Sequence, residues 1–135
     1  MKVIIAGSRH LNPFKFFSSS RRDEATFKLF QIIGKHLAYL ENEMGQPVTE
    51  IVSGKAAGID TVGEAYAITN RIPVAEFPAE WDLGKHAGML RNAQMAEYAD
   101  AALIIWDGKS KGSANMLEHM HRLGKPVAIY EMERL

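Results

Sequence analysis

A chain of 135 residues, 47% hydrophobic and 24% charged, has the composition of an ordinary soluble globule and the length of one domain spanning residues 1–135. Sixteen basic and sixteen acidic residues cancel, which argues against a nucleic-acid binder resting on many neutralised phosphates. With no cysteine and no apolar run of signal-peptide or membrane length, disulfides, thiolate metal sites and membrane insertion are excluded, and a cytoplasmic protein without metal or cofactor is expected.

Lys2–Ala6 is apolar on both faces, the habit of a strand in a parallel sheet covered by helices, and it runs into the turn Gly7-Ser8-Arg9. From His10 to Arg22 the pattern is irregular, with a turn at Asn12-Pro13 and a loop-like Ser18-Ser19-Ser20. Phe14, Phe16 and Phe17 inside it have two readings, a satellite of the core or an aromatic lid over a ligand. Asp23 or Thr26 is placed to cap a helix running to about Met44, with Leu29, Phe30, Ile33, Leu37 and Leu40 as its apolar stripe. Gly45-Gln46-Pro47 stops it.

Glu50–Val52 is a short strand entering a second glycine-rich turn, Ser53-Gly54-Lys55-Ala56-Ala57-Gly58, and a helix from Asp60 to about Asn70. Asp60 and Glu64 are four residues apart and share a face. They read either as a cap and a favourable dipole charge or as a carboxylate pair serving a ribose or acid–base chemistry. Ile72–Phe77 is a third strand, ended by Pro78. A loop carrying Trp81 follows, then a helix from Met89 to Tyr98 with Arg91-Asn92 in its first turn. A cation there calls for an anion, either a fixed carboxylate such as Asp107 or a ligand. Ala101–Trp106 is a buried strand leading through Asp107-Gly108-Lys109-Ser110-Lys111-Gly112-Ser113 into a helix ending near Leu123, with Ser113 placed as its cap. Gly124-Lys125-Pro126 turns into a last strand, Val127–Tyr130.

Five strands alternating with four helices predict an α/β fold, a doubly wound parallel sheet in the order 3-2-1-4-5 with helices on both faces. Its switch point falls between the first and fourth strands, where the three glycine-rich turns converge and backbone amides can meet an anion. Competing motifs fail. Gly108-Lys109-Ser110 ends like a P-loop, but Leu103 stands where its first glycine belongs. The dinucleotide fingerprint and the serine nucleophile elbow are absent, and His119 and His121 diverge on a helix instead of sharing a metal.

Taken in order, Gly7-Ser8-Arg9, Val52-Ser53-Gly54 through Gly58-Ile59-Asp60, Phe77-Pro78-Ala79-Glu80-Trp81, Arg91-Asn92 with Met95, and Asp107-Gly108 through Gly112-Ser113 resemble the YspA-type, YpsA-related branch of the SLOG superfamily. That superfamily includes the Lonely Guy phosphoribohydrolases and the DNA-processing protein A group. The resemblance implies a Rossmann-like sheet, a nucleotide or nucleotide-derived ligand, a bacterial or phage source and a homodimer. In that reading the amides of the glycine-rich turns (Gly7, Ser8, Arg9; Ser53, Gly54, Lys55, Gly58; Asp107, Gly108, Ser110, Lys111, Gly112, Ser113) and Arg91 with Asn92 hold phosphate. Asp60 takes the sugar and Trp81 stacks on a base. The branch usually has a second glycine and an arginine where this chain has Lys55 and Ala57. The glutamate that the Lonely Guy enzymes need is replaced by Met116, with Glu118 two residues on. A sensor or ligand-binding module is therefore the first expectation. A nucleoside 5′-monophosphate phosphoribohydrolase using Arg91, Asp60 or Glu64 is the second, and single-stranded DNA binding the third.

Overall fold

Lys2–Gly7 (β1), Glu50–Ser53 (β2), Val74–Glu76 (β3), Ala101–Trp106 (β4) and Val127–Glu131 (β5) form one parallel sheet in the order β3-β2-β1-β4-β5 in a computed structural model describing residues 1–16 and 18–135, the side chain of Phe16 excepted. Five helices among the described residues surround it: Pro13–Phe16 (α1), Ser19–Met44 (α2), Ile59–Thr69 (α3), Ala87–Tyr98 (α4) and Lys111–Arg122 (α5), with a 3-10 turn at Trp81–Leu83. The predicted strand order and doubly wound α/β fold are the observed ones. Among the described residues no helix is long and apolar enough to cross a membrane.

Alternation along β1 divides the interior. Val3 and Ile5 join Leu29, Ile33, Leu37 and Leu40 of α2 and Ile59 and Val62 of α3 in one core. Ile4 and Ala6 face the other way, onto Met95 and Ala96 of α4 and Met116 and Met120 of α5. Because side chains alternate across a strand, both faces of the central strands must be apolar, as the run Val3–Ala6 is.

Several boundaries differ from expectation. Helix α2 begins at Ser19: Ser18 is extended at its N-cap and its carbonyl accepts the Arg22 amide at 2.8 Å. Nothing between Ser19 and Arg22 breaks a helix, so Asp23 and Thr26 lie inside it and cap nothing. The segment before it is less irregular than its composition suggests. Leu11 is fully buried, Pro13 opens α1, and the Asn12 side chain accepts the Phe14 amide at 3.1 Å. Phe14 is exposed, so its ring does not join the core, whereas the Phe16 side chain and Phe17 fall outside the described residues. Strand β3 is shorter than predicted because the Ile72 amide turns back to the Ala67 carbonyl and Pro73 offers no N–H. Helix α4 begins at Ala87, whose amide bonds the Gly84 carbonyl. Arg91 therefore sits in its second turn and not its first.

Candidate functional site

The turns leaving β1, β2 and β4 interlock at the switch point. Gly7 passes against the Ile105 carbonyl so closely that a Cβ has no room, and the next amide, of Ser8, bonds that carbonyl at 3.1 Å. Gly58, with φ +82°, packs on the Ser8–Arg9 backbone, where a Cβ would come within 2.5 Å of the Ser8 carbonyl oxygen. Ser8 Oγ lies 3.0 Å from Ser110 Oγ and accepts the Asp107 amide at 3.1 Å. One Asp107 oxygen accepts the amides of Lys109 and Ser110 and the Ser110 hydroxyl, all within 2.9 Å. These amide bonds pull the Asp107 pKa down to about 2. Ser110 is thus the N-cap of α5, and Ser113, expected as its cap, is buried inside the first turn. The capping work has moved to Asp107, which satisfies the loop amides just before the helix.

Asp60 and Arg91 occupy the centre. Asp60, on the first turn of α3, is 5% exposed and accepts the Ala56 amide at 3.2 Å. Burial raises its pKa to about 6, against the opposing influence of the Ala56 amide and the Arg91 charge. Arg91 is 8% exposed; its Nη1 donates to the Gly54 carbonyl and its Nε to Asn92 Oδ1 at 3.0 Å. The Asn92 amide nitrogen in turn reaches the Gly112 carbonyl and Asn115, tying α4 to α5. Burial lowers the Arg91 pKa, with Asp60 opposing and Arg9 adding to the effect. The carboxylate that opposes this effect is Asp60, not the Asp107 that its expected position suggested.

Glu64, the other member of the predicted carboxylate pair, is occupied elsewhere. It accepts Ser53 Oγ at 2.5 Å and pairs with Lys55 at 2.9 Å, and Lys55 also reaches Glu76 at 3.4 Å. Lys55 itself is left-handed, with φ +59°. A non-glycine residue there is strained by roughly 1–2 kcal/mol. That is the physical reason a glycine suits this position, and the ion pairs are what the lysine gains in exchange.

Three adjoining cavities open around this centre. The first, about 400 Å³, is bounded by the end of β1, Asp60, and the start of α5 at Ser110–Ser113, over a floor of Ala6, Met95 and Met116. The second, about 450 Å³, lies between the N-terminal ends of α4 and α5. The third, about 410 Å³, lies between Gly54–Ala57 and Trp81. Arg9 and Arg91 line all three, and the Arg9 guanidinium sits 5.9 Å from the Trp81 ring.

The sequence-predicted residues therefore divide. Gly7, Arg9, Asp60, Arg91, Asn92, Ser110, Lys111, Gly112 and Ser113 line the first cavity, and Gly54, Lys55 and Trp81 the third. Ser8, Ser53, Gly58, Glu64, Asp107 and Gly108 line none of the three; Gly108 lies against the Glu131 side chain. Sequence reasoning missed His10 and Lys85. His10 lines the first cavity with its Nε2 2.8 Å from the Glu133 carbonyl, and Lys85 lines the second. The loop carrying Trp81 was visible, but nothing in it set Lys85 apart from its neighbours.

A family model described as YAcAr (YspA, cpYpsA-related SLOG family) matches residues 1–84, from β1 through the 3-10 turn. No curated protein and no solved structure matches the chain.

Proposed function

We propose that this chain, which belongs to the YspA, cpYpsA-related SLOG family, binds a nucleotide or nucleotide-derived ligand in the crevice at its switch point, as a sensor or ligand-binding module. The observation that carries this reading is the pair Arg9 and Arg91 lining all three adjoining cavities beyond the carboxyl ends of β1 and β4. Phosphate would sit against the α5 N-terminus and the arginines, where helix dipole and guanidinium favour an anion. Asp60 would accept from a sugar hydroxyl, and a base would stack on the exposed Trp81. The experiment is a thermal-shift screen of nucleosides, nucleotides and their derivatives. A ligand at about a hundred times its Kd stabilises by ~2.7 kcal/mol, a rise on the order of 10 °C for a domain of this size. A full panel without a shift overturns the reading.

A phosphoribohydrolase reading has one observation in its favour: Asp60 is a buried carboxyl with a pKa near 6 facing the crevice, the property expected of a group that exchanges a proton near neutrality. Against it, Met116 forms part of the floor where a carboxylate would be needed. Incubation with nucleoside monophosphates separates the two, since hydrolysis releases free base and ribose 5-phosphate and binding alone does not.

A further inference from the structure

The second cavity holds a charge imbalance that a single phosphate does not use. Arg9, Lys85, Arg91 and Lys111 line it, against one carboxylate, Glu118. Glu118 is already paired with Arg122 on the same helix. Among the described residues the side chains of Lys85 and Lys111 make no hydrogen bond or ion pair, although the chain as a whole carries equal numbers of acids and bases. Arg91 spends Nε and Nη1 on Asn92 and Gly54, while its Nη2 lies beside Gly88 and the Trp81 ring, 3.8 Å from where a Cβ on Gly88 would stand. Gly88 and Arg91 both line the second cavity, so this buried guanidinium adds its charge to that wall. The first and second cavities share Arg9, Arg91, Asn92, Lys111 and Gly112, which makes them two lobes on either side of one cationic wall.

Resting on the nucleotide reading above, we propose that the ligand carries two linked phosphates: one at the α5 N-terminus in the first cavity, the other in the second among Lys85, Lys111 and Arg91. Like charges held together without counter-charges are unfavourable, and a diphosphate neutralises them with charge-assisted bonds that a monophosphate reaches only in part. Gly88 and Gly112 line this lobe without side chains of their own.

The test uses inorganic pyrophosphate and phosphate as probes on the full chain, with calorimetry at matched ionic strength and without divalent metal, followed by mono- and diphosphates of each nucleoside. Pyrophosphate is expected to bind at least tenfold more tightly than phosphate. Lys85→Ala is expected to reduce that ratio to threefold or less, Lys85→Arg to restore most of it, and Lys35→Ala, an exposed lysine on α2, to leave it alone. Equal affinity for the two probes, or a ratio that Lys85→Ala leaves intact, overturns the diphosphate proposal. The nucleotide reading fails separately, when neither mono- nor diphosphates of any nucleoside bind better than the bare inorganic probes.

Discussion

Asp60 and Arg91 meet on the same spot of backbone: a Cβ placed on Gly54 would lie 3.0 Å from Asp60 Oδ2 and 2.7 Å from Arg91 Nη1. The glycine is there because two charged side chains, from α3 and α4, need its bare Cα to come together. Gly54→Ala must push the guanidinium off the carbonyl it bonds. The expected cost is about 1–3 kcal/mol in stability, together with a loss of ligand affinity. Comparing melting and binding of this variant with wild type checks it, and unchanged values for both would mean Arg91 does not need its observed position.

Asp60 makes stability depend on pH in a definite direction. Its folded pKa of about 6 is raised above the ordinary carboxylate value of 3.8, so the folded chain holds this proton more tightly than the unfolded chain. The stabilisation is fully present below pH 4 and is lost as pH rises from about 4 through about 6, a difference of up to ~3 kcal/mol. Asp60→Asn keeps an oxygen for the Ala56 amide and removes the titration. It should therefore melt higher than wild type at pH 7, near wild type at pH 4, and bind ligand more weakly. Melting curves that run parallel for the two proteins across this pH range would remove Asp60 from its buried, raised state.

The fold was legible because periodicity carries it. The apolar runs at Val3–Ala6 and Ala101–Ile105 read as strands covered on both faces, and their alternation with amphipathic helices points to a doubly wound parallel sheet, whose observed order is the expected one. The candidate crevice was legible in its glycines, whose need follows from close backbone approach at Gly7 and a positive φ at Gly58. What stayed hidden depends on side-chain partners distant in sequence. Glu64 was as plausible as Asp60 until Ser53 and Lys55 claimed it. Arg91 has Gly54, 37 residues away, as its acceptor, which no local pattern encodes. Lys85 becomes meaningful only once the ends of α4 and α5 are side by side.

Lys55 offers a clean backbone test. At φ +59° it sits where glycine is at ease, and its ion pairs to Glu64 and Glu76 involve a side chain open to solvent. Lys55→Ala and Lys55→Gly both lose the pairs, but the alanine keeps the strain. The glycine variant should be the more stable of the two by about 1 kcal/mol. Equal midpoints in urea would show that the left-handed conformation is not retained.

Arg91→Ala distinguishes a residue held only for a ligand from one that also builds the protein. A guanidinium serving ligand alone would leave the free chain melting at its original temperature. Here its removal takes the donor from a buried Gly54 carbonyl and from Asp60 the cation that opposes its raised pKa. The unliganded variant should lose about 1–3 kcal/mol, the cost of an unpaired buried acceptor. The pH window also widens: without the arginine the Asp60 pKa rises further above 6, so the loss still begins near pH 4 but is larger and runs on to higher pH. Ligand affinity should fall at least tenfold, since one or two charge-assisted bonds go with it. Arg91→Lys should rescue neither property fully, because an ammonium cannot serve Gly54, Asn92 and a ligand from one plane. Melting at pH 5 and pH 7, with binding measured on the same preparations, reads all three effects. A variant that melts and binds as wild type does would show that the centre of the crevice lies elsewhere.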